Sequence, residues 1–169
     1  TSVARGSTLL LNVPPDRRGL FHENDIKSLE GFKAILDRKF KTNIAKGAKV
    51  QVNAFRGNDA RYNAAKLNDG KKDTYWATDD GTTTGSFEIA LSKVQPVKYV
   101  LLQEPIRLGQ RVKSFTVEAW QDGAWKEVSN GTTIGYKTIL QLKEVNTEKI
   151  RVNITDSKAC PLISNVELY

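Results

Sequence analysis

The chain has 169 residues, a length suited to one domain or to one domain with an attachment. Hydrophobic residues make up 39% and charged residues 27%, which excludes a disordered chain, and the lone Cys160 excludes an internal disulfide or a cysteine-built metal cluster. The net charge of +7 comes from 26 Lys and Arg against 19 Asp and Glu, scattered along the chain, so it reads as solvated surface and implies no nucleic-acid partner. No segment reaches the ~18 apolar residues of a membrane-spanning helix, and Thr1–Gly6 lacks the basic start and apolar core of a leader.

Taken in chain order, Leu9–Val13 is an apolar run without polar alternation, which predicts a strand buried on both faces. A Pro-Pro-Asp loop follows, and then an amphipathic helix. Ile26, Leu29, Phe32, Leu36 and Phe40 recur at three- and four-residue steps, with Ile35 widening the stripe. Asn24 or a neighbour is placed to cap its start, Glu23 and Asp25 suit its positive end, and Arg38, Lys39 and Lys41 suit its negative end. This βα unit cannot bury its own strand. From residue 45 onward the pattern is all strand. Val50, Val52 and Ala54 alternate, as do Phe87, Ile89 and Leu91, and Val97–Leu102 is a continuous apolar run. Phe115–Ala119, Trp125–Val128, Ile134–Leu140, Ile150–Ile154 and Leu162–Leu168 complete about eight short strands, several separated by Asp-Gly or Asn-Gly turns. Such an array predicts a β-sandwich or jelly roll.

Two stretches carry a resemblance. "LLLNVPPDRRGLFHENDIKSLEGFKAIL", Leu9–Leu36, resembles the last βα unit of the (β/α)8 barrel of family 29 glycoside hydrolases, the α-L-fucosidases. "LNDGKKDTYWATDD", "LQEPIRLGQRVKSFTVEAW" and the closing "ISNVELY" resemble the discoidin, or coagulation-factor 5/8 type C, β-sandwich, a fold shared with family 32 carbohydrate-binding modules. The resemblance implies a fucosidase C-terminal portion, with residues 1–44 the end of the barrel and 45–169 a galactose-binding-like jelly roll. It also implies a secreted or periplasmic setting. Asn12 and Asp16 would then stand at the rim of the sugar pocket, since barrel chemistry sits at the C-terminal ends of the strands. No residue here matches the family's catalytic carboxylates, so the chain alone is expected to be inactive.

The resemblance further implies a calcium site on the "NDGKKDT" loop and the closing strand, held by Asp69, Thr74 and Glu167 with nearby carbonyls. Calcium takes six to eight oxygen ligands, and the alternative is a plain Asp-Gly turn. A carbohydrate site for fucosylated or galactose-containing glycans is expected on the loops at one end of the sandwich. Sugars call for an aromatic face and planar polar groups, which Arg56, Arg61, Tyr62 and Trp76 supply; the alternative is that these aromatics pack the core. A stand-alone lectin-like module without catalysis is the competing function, and a lipid-binding discoidin domain is a third, with only "PIRLGQR" to support a membrane contact.

Overall fold

The structure, a computed structural model, describes Val3 and residues 8–169; the Thr1–Gly6 stretch read above for a leader lies, Val3 apart, outside them. The predicted helix forms as α1, Glu23–Lys39. His22, not Asn24, caps it: its Nδ1 accepts the Asn24 N–H at 3.2 Å. The helix ends at Phe40, whose ring packs against Tyr99 at 5.3 Å and Tyr169 at 5.2 Å, tying α1 to the end of the β-domain. No α1 residue is buried, and Ile26, Phe32 and Ile35 face outward.

The strand predicted over Leu9–Val13 does not form in this chain. Its three leucines are exposed, Leu10 to 93%. The physical reason is simple: backbone N–H and C=O groups need neighbouring strands to make a ladder, and no strand of the β-domain reaches this segment.

The rest is mainly β. β1 (Lys49–Val52), β3 (Gly85–Gln103), β6 (Thr138–Ser157), β4 (Val112–Gln121) and β5 (Ala124–Gly131) lie side by side in that order, all antiparallel. β8 (Asn165–Leu168) pairs with the later half of β3, and β2 (Trp76–Ala77) pairs with β7 (Leu162–Ile163) in a small second sheet. β3 and β6 are long because each merges two runs that the sequence pattern separates. Register shifts between Ala90 and Gln95 and between Val97 and Tyr99 turn β3, so its first half meets β1 and its second half meets β8. Bulges of this kind bend a sheet. Residues from both halves therefore fall in one buried cluster, Phe87 and Ile89 with Val100 and Leu102, joined by Val117, Ile150, Val152 and Val166. The alternation Phe87, Ile89, Leu91 that marked the strand in sequence is the buried face. This is the expected discoidin-like β-sandwich.

Candidate functional site

At the end of the sandwich away from the chain's C-terminus, loops converge around Cys160. Two short 3-10 turns, Arg56–Asn58 and Ala60–Tyr62, present Arg56, Arg61 and Tyr62. Arg56 Nη2 donates to Asp80 Oδ1 at 2.7 Å and to Cys160 Sγ at 2.8 Å, while Arg111 Nη1 reaches the same sulfur at 2.8 Å. Arg61 Nε donates to Asp59 Oδ2 at 2.8 Å, and the Arg61 guanidinium holds the Asp59 carboxyl below the usual carboxylate range. Both guanidiniums lie against the Tyr62 ring, at 5.4 and 5.6 Å from its centre, and Tyr62 packs on Tyr75 at 5.5 Å. Burial, followed by the neighbouring Tyr62, raises the pKa of the Tyr75 phenol above its ordinary value.

Three of the four expected sugar residues thus come together. The fourth does not. Trp76 is fully buried, its indole N–H donates to the Ala54 carbonyl at 2.9 Å, and its ring packs edge-on to Phe87. A Cβ on Gly85 would come within 2.7 Å of that ring. Trp76 is a core residue and has no face to offer a ligand, which corrects its assignment. Arg56 is also largely committed, with its side chain tied to Asp80, Thr78 and Cys160. Arg61 is the most exposed member of the group.

On the Asp-Gly loop, Gly70 takes φ +73°, which glycine adopts without strain, and the turn closes around Asp69. Asp69 Oδ1 accepts the Lys71 N–H at 2.9 Å, and the Thr74 hydroxyl donates to Asp69 Oδ2 at 2.8 Å. The same hydroxyl lies 3.4 Å from the Lys71 carbonyl. A carboxylate, a hydroxyl and a carbonyl converge here, an all-oxygen set of the kind that suits calcium. Glu167 stands apart from them. Its carboxylate accepts from the Asn165 amide at 3.0 Å and from the Tyr169 hydroxyl, and it opens on the cavity that Gly70–Asp73 line from the other side. Among the described residues no three His, Cys, Asp or Glu side chains are grouped to hold a metal.

The two expected rim residues differ. Asn12 is exposed, whereas Asp16 organises its own loop. Asp16 accepts from the Arg18 backbone N–H and Nε, each at 2.8 Å, and Arg18 reaches on to Glu23 at 2.8 Å. The Arg18 guanidinium, helped by the Arg18 and Leu20 N–H groups, holds the Asp16 carboxyl below its ordinary range.

Glu104, which sequence reasoning missed, is only 2% exposed and forms part of the buried wall of the same cavity. Its Oε1 accepts from Arg111 N at 2.7 Å and Val112 N at 3.0 Å, and its Oε2 accepts from Gly135 N at 2.7 Å. A lone carboxylate between an apolar strand and a proline, in "LLQEPIR", is the signal that marks it.

A jelly-roll sandwich whose loops gather polar groups at one end defines a β-sandwich module. The F5/8 type C domain model matches residues 47–167, and the chain belongs to that family. Alpha-L-fucosidase 1 of Arabidopsis thaliana is 34% identical over 173 residues, covering 99% of this chain and 34% of its own length. A solved Ruminococcus gnavus GH29 fucosidase in complex with fucose superimposes with a TM-score of 0.89 at 34% identity, over 99% of this chain and 34% of that one. A chitosan-binding module from a Paenibacillus chitosanase/glucanase shares the fold, with a TM-score of 0.67 at 21% identity over 76% of this chain and 98% of that one. The chain spans about a third of the length of the curated relatives it matches.

Proposed function

We propose that this chain is the C-terminal portion of an α-L-fucosidase, which removes terminal α-linked L-fucose from glycans outside the cytoplasm. The observation that carries this reading is the match of nearly the whole chain, α1 included, to about a third of each fucosidase relative. The exposed apolar groups of Leu9–Leu11, Ile26, Phe32 and Ile35 support it, because such a surface requires a cover and the remainder of a barrel supplies one. A free-standing lectin gives no account of that surface. Residues 1–44 then belong to the barrel and 45–169 form the sandwich that braces it. A retaining glycosidase needs two carboxyls roughly 5–5.5 Å apart. Asp16 and Glu23 do not supply this pair: both bond the Arg18 guanidinium, which together with backbone N–H groups holds each carboxyl below its ordinary range, so neither serves as the proton-donating acid. The reacting pair therefore lies upstream, and Asn12 contributes at most a polar contact at the pocket rim.

Two finer readings accompany this one. Calcium would sit on Asp69, Thr74 and the Lys71 carbonyl, with Glu167 across the neighbouring cavity, and it would brace the loop and supply no chemistry. Fucosylated or galactose-type glycans would meet Arg61 and Tyr62 with affinity near a millimolar, because a shallow surface site buries few ligand atoms. The test of the main reading is the gene: seven further βα units encoded in frame before Thr1 support it, and their absence overturns it.

A further inference from the structure

We propose that the sandwich carries a second glycan site, a groove centred on Tyr136 that takes a neutral oligosaccharide; the choice of ligand class rests on the glycan-processing role proposed above. Two concavities, of about 280 and 520 Å³, meet at this residue, which lines both. Each falls near or within the roughly 300–1,000 Å³ range of small-molecule sites. Tyr136 is 50% exposed at their junction, and its hydroxyl has no hydrogen-bond partner among the described residues. An aromatic ring left open between two hollows is the group that sugar C–H faces stack on, and its phenol can reach a hydroxyl.

The chemistry of the walls selects a neutral, hydroxyl-rich ligand. The larger concavity is lined by Gln110, Thr132, Thr133 and Thr138 and by no charged side chain. In the smaller one, Lys71, Lys72 and Arg107 are balanced by Asp73, Glu104 and Glu167. Neither wall favours an anion or a cation.

The platform is also held still. The Tyr136 carbonyl accepts from Gln103 Nε2 at 3.2 Å, and the Thr138 hydroxyl donates to the Ile134 carbonyl at 2.8 Å. Glu104 pins both sides of the groove at once, Gly135 on one loop and Arg111 with Val112 on the other. Burying a carboxylate is unfavourable unless hydrogen bonds compensate it. Here that arrangement fixes the two loops that flank Tyr136, and a rigid aromatic platform loses little freedom on binding. By contrast the Tyr62 ring is flanked by two guanidiniums. Tyr136 is the open ring.

The test is an NMR titration of the full 169-residue chain with galactose, fucose and the trisaccharide 2′-fucosyllactose, alongside the Tyr136→Ala and Tyr136→Phe variants. Shifts at Thr132–Tyr136 and Lys71–Asp73 are expected, with the trisaccharide binding about tenfold tighter than either monosaccharide because it spans both hollows. Tyr136→Ala should weaken trisaccharide binding about tenfold, as loss of a central aromatic anchor does, while Tyr136→Phe keeps most of it. Unchanged binding in Tyr136→Ala, shifts confined to Arg56–Tyr62, or no shifts up to about 50 mM sugar would each overturn the proposal. A groove that binds in a protein lacking fucosidase activity would leave this inference standing and remove the reading above it; activity without binding would do the reverse.

Discussion

Replacing Glu104 with alanine removes one acceptor from three backbone donors. The Val112 and Gly135 N–H groups are buried, and the Arg111 N–H is partly so. A buried donor left without a partner costs about 1–3 kcal/mol. Two such groups give roughly 2–6 kcal/mol, and about 4 kcal/mol is the working figure after some access by water. That is a large share of the roughly 5–15 kcal/mol that holds a typical domain together. At ~2–4 °C per kcal/mol for a chain of this size, the melting temperature should fall by about 8–16 °C. Glu104→Gln keeps one acceptor oxygen but turns an amide N–H₂ toward a backbone N–H, so it should lose about half as much. The measurement is thermal and urea unfolding followed by circular dichroism, with hydrogen exchange at Gly135 as the local readout. An alanine variant within about 1 kcal/mol of the parent, or one no worse than the glutamine variant, would refute the reasoning.

Trp76→Ala should destabilise the sandwich by about 3–5 kcal/mol through the cavity it leaves, and Gly85→Ala by about 1–3 kcal/mol through overpacking against the same ring; chemical denaturation of the two variants checks both. Asp16 has a depressed folded pKa, so its contribution to the Asp16–Leu20 turn is present above the ordinary carboxylate pKa and is lost only as pH falls through the lower folded value. NMR of Leu20 and Arg18 should accordingly show the turn intact at pH 5 and opening only below about pH 4. If Asp69, Thr74 and Glu167 hold calcium, a hundredfold excess over Kd stabilises by ~2.7 kcal/mol. Chelation should then lower the melting temperature by several degrees, a response that Asp69→Ala abolishes; identical melting with calcium and chelator would leave a plain turn.

The elements most legible in the sequence were those whose pattern is satisfied locally. α1 followed from the spacing of Ile26, Leu29, Phe32 and Leu36, and the buried face of β3 followed from Phe87, Ile89 and Leu91. Capping by His22 was less visible, because an imidazole acceptor two residues before Asn24 competes with better-known capping residues. The merging of runs into the long strands β3 and β6 was not legible, since a bulge is set by the partner strand. Leu9–Val13 shows the opposite limit. Its composition specifies a buried strand, but the ladder it needs is not within this chain. The candidate site was read in part. Arg56, Arg61 and Tyr62 do converge, yet Trp76 in "DTYWATDD" looks like a sugar platform until the Ala54 carbonyl and Gly85 are seen to enclose it. Tyr136 escaped notice because no local pattern marks it, and its loop is held through Gly135 by Glu104, 32 residues away in sequence.

The central claim is that this chain serves an α-L-fucosidase whose reacting carboxylates lie elsewhere in the polypeptide. Hydrolysis of an aryl α-L-fucoside should be measured for the purified 169-residue chain and for the full-length product of its gene. The account requires robust turnover by the full-length protein and none by the chain alone. Turnover by the isolated chain, or a full-length protein that leaves the fucoside intact, would contradict it.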